Sequence, residues 1–352
     1  MSSRGIVWLE ALTPKHALLL SYVYKELKKL GINSVVTTRS YDLTANILEY
    51  YGVEHICIGK YGGRSPLAKL KASLNRQIEL LRWIEEGNLN VRVAAFFTSP
   101  DATRVAYGLG IPVVSLTDSP HSDIVNRLTL PLSTRVIAPS CIARELSRYL
   151  VDEKILITFN GVFERVWIQE KMECGDLLSA MGLKPYKYCV LRPPETKAAY
   201  FKFDTSLAEF IKTARRLSEQ ITVVIYPRYR DQYLLLLESL KGLRNVIFLR
   251  RAVNMQCLER YAVLVLTGGA TLAHEAALLG TPSIFTFPRD LEVSRFLRKK
   301  GFPLFHKPRN FSELAVKISK NPEAYRVDTK NLLSRLENPL PKIVKAIRDL
   351  VR

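Results

Sequence analysis

Short apolar runs of β character alternate with longer amphipathic segments along almost the whole chain, and this alternation limits the fold more than any single motif does. In the first half the runs are Ile6–Leu9, Ser34–Thr37, His55–Ile58, Val91–Phe97, Val113–Leu116, Arg135–Ala138 and Ile155–Thr158. Helix-period stretches separate them at Lys15–Leu30, Asp42–Tyr51, Leu67–Glu85, Asp101–Leu109 and Cys141–Leu150. A strand reached through a helical crossover runs parallel to the one before it. The pattern therefore predicts an α/β protein with parallel sheets covered on both faces.

A second series of the same kind follows a break. Its strands read Tyr188–Leu191, Thr222–Tyr226, Val246–Leu249, Val263–Leu266 and Ser283–Phe287. Its helices read Ser206–Leu217, Gln232–Leu240, Met255–Arg260, Leu272–Leu279 and Val293–Lys299. The break, Phe159–Trp167, carries an Asn160-Gly161 turn signal and neither period, so it reads as a linker. The expected organisation is a Rossmann-like domain over 1–160, a second over 161–335, and a last helix within 336–352 that could pack on either. A chain of 352 residues, 47% hydrophobic, suits two cores better than one. Open parallel sheets take ligands at the carboxyl ends of their strands, so two such domains are expected to face each other across a binding cleft.

The formal net charge of +19 favours anionic partners: phosphorylated small molecules, nucleic acid or an anionic lipid surface. No RNA-binding or helix-turn-helix signature accompanies it, so nucleic acid is the least expected of the three. The five cysteines stand singly, without a CxxC pair or a Cys/His cluster, so neither a structural zinc site nor any other metal is expected. An odd, scattered set reads as reduced thiols in a reducing compartment. The first apolar run directly follows Met1–Gly5, unlike a signal peptide, and no segment approaches the ~20 apolar residues of a membrane span. A cytoplasmic protein is expected, with peripheral membrane contact left open.

The most informative stretch runs from Leu264 to Pro282: an apolar strand, Gly268-Gly269, a helix, and a Gly280-Thr281-Pro282 stop. Glycine lets a backbone approach a ligand closely. The free N–H groups of Ala270, Thr271 and Leu272, with the helix dipole, suit a phosphate. Glu275 stands four residues after Thr271 on the same face, where a carboxylate could accept from both ribose hydroxyls. Arg192, Arg228 and Arg230 follow strands and could grip phosphate oxygens. In the first half, His16 follows the first strand, and Asp118-Ser-Pro-His121 follows the fifth. His16, Asp118 and His121 are the candidate acid–base groups. Ser119 or Asp118 ahead of Pro120 reads equally as a helix cap. The loop Gly59–Ser65, with Lys60, Gly62, Gly63 and Arg64, is either a plain connection or a clamp for an anionic acceptor.

The segment Gly268-Gly-Ala-Thr…Glu275-Ala-Ala-Leu-Leu-Gly-Thr-Pro282 resembles the nucleotide-binding element of GT-B glycosyltransferases. The peptidoglycan lipid-linked N-acetylglucosaminyltransferase and the non-hydrolysing UDP-N-acetylglucosamine 2-epimerases share that element. The whole chain resembles a mainly archaeal family of predicted glycosyltransferases described as a domain of unknown function. Its signatures are Trp8–His16, Ser99–Pro112, Asp118–His121, Arg127–Leu132, Pro227–Arg230 and the glycine element. The resemblance implies a GT-B-like fold, a UDP-sugar substrate with no further cofactor, a ribose-binding role for Glu275, and a loop at Arg250 and Arg251 that frames the base. Ala273 departs from it, standing where related sequences carry a small hydroxyl residue.

The resulting expectation is metal-independent, inverting transfer from a nucleoside-diphosphate sugar to an unidentified acceptor, such as a lipid phosphate or a glycan. A UDP-sugar 2-epimerase and a non-catalytic nucleotide- or nucleic-acid-binding protein are the alternatives.

Overall fold

The computed structural model describes residues 5–63, 65–168, 172–194, 203–250, 253–307 and 309–351, with backbone alone at 203–206. The chain divides into two compact units, Met1–Trp167 with Leu336–Arg352, and Ile168–Arg335.

The first unit is built on seven strands: β1 (Ile6–Ala11), β2 (Ser34–Ser40), β3 (His55–Lys60), β4 (Val91–Phe96), β5 (Val113–Leu116), β6 (Arg135–Pro139) and β7 (Leu156–Phe159). Their order is β3-β2-β1-β4-β5-β6-β7, and every neighbouring pair is parallel. Strand periodicity assigns the two faces. Val7, Leu9 and Ala11 enter one core with Leu20 and Val23 of the helix Pro14–Lys29. Trp8 enters the other with Phe96 and with Leu80 and Ile84 of the helix Pro66–Glu86. Three helices start alike, on Thr13-Pro14, Ser65-Pro66 and Ser99-Pro100, each hydroxyl accepting from a first-turn N–H. Proline is tolerated there because that amide has no helical acceptor to lose.

The second unit repeats the plan with β8 (Tyr188–Arg192), β9 (Thr222–Ile225), β10 (Val246–Phe248), β11 (Val265–Thr267), β12 (Ser283–Phe285) and β13 (Leu304–His306). Their order is β10-β9-β8-β11-β12-β13, again parallel throughout. The fold class is thus as expected, two parallel-sheet Rossmann-like units. β13, Leu304–His306, was not among the runs read from sequence.

Three local expectations are corrected, and one left open is decided. Phe159–Trp167 is no slack linker: Phe159, Phe163, Val166 and Trp167 are buried in the first unit's core, and a 3-10 turn spans Phe163–Val166. The last helix, Leu340–Val351, belongs to that core as well through Ile343, Val344, Ala346 and Ile347. The helix foreseen over Cys141–Leu150 breaks into 3-10, α and 3-10 turns at 140–149. Finally, Cys174 and Cys257 form a disulfide across 83 residues, with Cα atoms 5.4 Å apart, while Cys57, Cys141 and Cys189 are free. Linear spacing could not show this pair, because it forms where the helices Gly175–Ala180 and Met255–Arg260 pack together. Reduction, or Cys257→Ser, should lower the free energy of unfolding by about 2–4 kcal/mol by releasing that loop. Denaturant unfolding with and without dithiothreitol measures this, and identical curves would mean the bond is not formed in solution.

Candidate functional site

In each sheet the strand order reverses once, between β1 and β4 in the first unit and between β8 and β11 in the second. At such a reversal the two crossovers leave in opposite directions, opening a crevice at the carboxyl ends where ligands bind in open α/β sheets.

At the second unit's reversal, β11 ends on Thr267 and the helix Ala270–Leu278 begins two residues later. Gly268 sits against Pro194, so a Cβ added there would come within 2.7 Å of the Pro194 Cα. Gly269 is the N-cap, and the helix has no side-chain cap. The Gly269 N–H donates to Thr267 Oγ1 at 2.9 Å, and the first helical bond runs from Ala273 N to Gly269 O. The amides of Ala270, Thr271 and Leu272 thus have no acceptor within the helix. Arg228 lies over this turn, its Nη2 3.0 Å from where a Cβ on Gly269 would be. Gln232 holds the arginine's loop in place, accepting from Arg228 N at 2.9 Å and donating to Pro194 O at 3.1 Å. Arg192 ends β8 beside Thr267, with its guanidinium over the Tyr226 ring at 4.7 Å. Structure therefore gathers Gly268, Gly269, Ala270, Thr271, Arg192 and Arg228 at one edge. Arg230 is exposed at the start of the helix Arg230–Ser239. Arg250 bonds Tyr233, and Arg251 lies outside the described residues.

Glu275 is not the open carboxylate its helix position suggested. It is 4% exposed and faces the carboxyl group of Glu259, which is fully buried on the helix Met255–Arg260. Burial, and then the neighbouring Glu275 charge, push Glu259 well above the usual carboxylate range against the pull of Arg192. The neutral form of Glu259 is thus favoured to higher pH than for an ordinary carboxylate. Glu259 carries no motif, and only the packing of two helices reveals it.

At the first unit's reversal, Thr13 caps and Pro14 opens the helix that carries Lys15 and His16. The His16 ring stacks on Phe97, just past β4, with centroids 4.7 Å apart. Its Nδ1 accepts the Leu12 N–H at 3.3 Å, which leaves the remaining proton on Nε2. Burial, then the charges of Lys15 and Arg39, drive the imidazole down to about 3. His16 is accordingly neutral and a donor in this arrangement. Asp118 accepts from Lys15 Nζ and from Ser119 Oγ, and Lys15 also bonds the fully buried Glu164 at 2.8 Å. Burial works against the Lys15 charge, but the two carboxylates together raise its pKa. Lys15 and Glu164 were not singled out from sequence. Glu164 came from the supposed linker and lies 149 residues from its partner. His121 is half-buried in the turn after β5. The expected cap at Asp118 or Ser119 is replaced by a later start: the helix spans Asp123–Thr129, with Ser122 as its N-cap.

The sequence profile of a family described as a protein of unknown function, DUF354, matches residues 6–348. An uncharacterized protein of Methanocaldococcus jannaschii, MJ0665, is 26% identical over 303 residues, 84% of this chain and 85% of that protein. Among solved structures, the UDP-GlcNAc 2-epimerase of M. jannaschii in complex with UDP-GlcNAc and UDP superposes with a TM-score of 0.73 at 16% identity, over 98% of this chain and 99% of that one. Staphylococcus aureus MnaA with UDP gives 0.73 at 12% identity, over 98% and 95%. Anabaena HepE with UDP and glucose gives 0.64 at 14% identity, over 98% of each chain. These structures share the fold.

The buried carboxyl pair has a consequence for pH. An acid whose folded-state pKa is raised stabilises the fold fully below its unfolded value, near 4.5, and loses that contribution as pH rises through the folded value. Stability should thus fall toward alkaline pH, and Glu259→Gln, which imitates the protonated form, should flatten the fall. Thermal unfolding midpoints between about pH 5 and 9 test this. Parallel curves for the two proteins would show that Glu259 titrates normally.

Proposed function

Because this chain belongs to the family described as a protein of unknown function, DUF354, its activity must be argued from the site, and we propose that it is a glycosyltransferase using a UDP-sugar. One observation carries the reading. At a strand-order reversal, an uncapped helix N-terminus is approached by an arginine directly over its N-cap glycine. Three amides without helical acceptors, the helix dipole and a guanidinium make a site for a diphosphate. Similar folds solved with UDP bound support the choice of nucleotide.

In this reading the amides of Ala270, Thr271 and Leu272 bind the diphosphate with Arg228. Arg192 and Arg230 add positive charge, and Glu275, held by Glu259, meets the ribose. During transfer, the acceptor oxygen bonds to the anomeric carbon and the electron pair of the anomeric C–O bond leaves on the diphosphate. The acceptor proton passes to a base. Charge developing on the leaving group is stabilised by donors already oriented toward it. The first unit holds the acceptor at its own reversal. Asp118 is the base there, and His16, carrying its proton on Nε2, donates a hydrogen bond and orients.

Epimerisation at C2 is the second reading, favoured by the number of epimerase folds among the similar structures. Against it, Glu164, a further carboxylate of the first unit, is fully buried and engaged by Lys15.

UDP should bind the purified protein in calorimetry, and Glu275→Ala should weaken it about tenfold or more, as loss of a charged hydrogen bond does. Absence of binding by any nucleoside diphosphate would remove the proposal. Incubation with UDP-GlcNAc followed by NMR separates the two reactions: an epimer formed without acceptor indicates epimerisation, whereas no change until an acceptor is added indicates transfer.

A further inference from the structure

Arg39 is a half-buried cation of the first unit whose role the sugar-nucleotide reading leaves unexplained. It lies near the carboxyl end of β2, beside β1. Its guanidinium lies against two aromatic rings that also touch each other, Tyr41 at 5.4 Å and Tyr61 at 5.2 Å, with the ring centroids 4.7 Å apart. Tyr61 is fixed in turn by its own N–H, which donates to Ser40 O at 3.3 Å, and by Lys69, whose Nζ lies 6.0 Å from the ring. The Arg39 Nε is sealed from solvent and has no hydrogen-bond partner among the described residues.

The carboxylates that could neutralise it are already engaged. Glu10, fully buried, takes a two-pronged bond from Arg76, Nη1 to Oε1 at 3.0 Å and Nη2 to Oε2 at 2.9 Å. It also accepts from Thr37 and Ser99. Asp101 accepts from Ser73 and lies 3.7 Å from Arg76. Among the described residues no carboxylate comes within ion-pair distance of Arg39. Burial and the like charge of Arg76 oppose its protonation, only partly offset by Asp101 and Glu10. A guanidinium enclosed in this way is costly unless an anion completes it.

We propose that Arg39 is the anchor of an oxyanion site in the first unit, with the tyrosine rings fixing the plane of its fork and a phosphoryl group as the ligand. The forked N–H edge of arginine matches two oxygens of a phosphoryl group. Lys69 supplies a second positive charge nearby, and Lys60 ends β3 immediately before Tyr61. The loop that the sequence marked with Gly62 and Gly63 thus acts through Tyr61, not as a clamp of its own. Gly62 is pressed onto the next helix, where an added Cβ would come within 2.5 Å of the Lys69 Cα. Arg39 also contributes to lowering the pKa of His16, so a phosphoryl group here would lie within electrostatic reach of that imidazole. The site stands whether or not the second unit binds UDP.

The test is a titration of the full chain with inorganic phosphate, followed on the arginine Nε–Hε resonances by 15N NMR at constant ionic strength. Arg39→Lys identifies the Arg39 signal by removing it. The expected result is a saturable shift of that signal in the wild type and equally in Arg228→Ala, which removes the guanidinium assigned to the diphosphate and so separates this site from the nucleotide site. Thermal stabilisation by phosphate in the Arg228→Ala background should weaken about tenfold with Arg39→Lys, which keeps the charge and loses the fork. A shift that fails to saturate, or that sodium chloride reproduces, would overturn the proposal. So would an Arg39→Lys protein that folds normally and is stabilised by phosphate as the parent is.

Discussion

In a sheet whose strands all run the same way, every strand ends at the same edge, and the loops that leave that edge carry whatever chemistry the protein has. Both units here obey this constraint, and both reverse their strand order once, at β1/β4 and at β8/β11. The glycine turn, Arg192 and Arg228 meet at one reversal, and Lys15, His16 and Phe97 meet at the other. Residues far apart in sequence become neighbours because parallel strands in register bring their ends together. Thr267 lies beside Arg192 for no other reason.

Around these edges the interior is unusually rich in charge that has been paired with care. Arg76 crosses from its helix to Glu10 on β1 and also donates to Ile58 O at 2.8 Å, so β1, β3 and the helix share one buried network. Lys15 joins Asp118 to Glu164 in the same way. Such pairs rarely add stability over an apolar core, since desolvation offsets attraction, but losing one partner strands the other. Their effect here is positional, because they hold β1, the start of the first helix and the loop after β5 in one arrangement. Arg39, half-buried, and Glu259, fully buried, stand apart from this pattern: among the described residues neither has an opposite charge within ion-pair distance.

Much of the fold was legible because periodicity is local. Twelve of the thirteen strands coincide with apolar runs read from sequence, and the hydroxyl–proline helix starts are visible at Thr13, Ser65 and Ser99. The glycine element was legible too, since strand, glycines and helix follow one another within a few residues. Glu164 and the Cys174–Cys257 bond were not, because each is defined by a partner distant in the chain, and Glu259 was not, because only the packing of two helices brings it to Glu275.

The helix Pro66–Glu86 marks where the division lies. Its stripe of Leu67, Leu70, Leu74, Ile78 and Leu81 has the spacing that normally turns inward, yet these side chains are 43–62% exposed. The buried face carries Arg76 instead, together with Leu80 and Ile84, because Glu10 sits beneath it on β1. Sequence alone determined the elements, their parallel pairing and the turn at Gly268-Gly269, since these follow from propensity and period over short stretches. Only the tertiary structure decided which face of a helix is buried, which charges meet and which carboxyl keeps a proton, because those depend on the single packed arrangement that satisfies all the long-range partners at once.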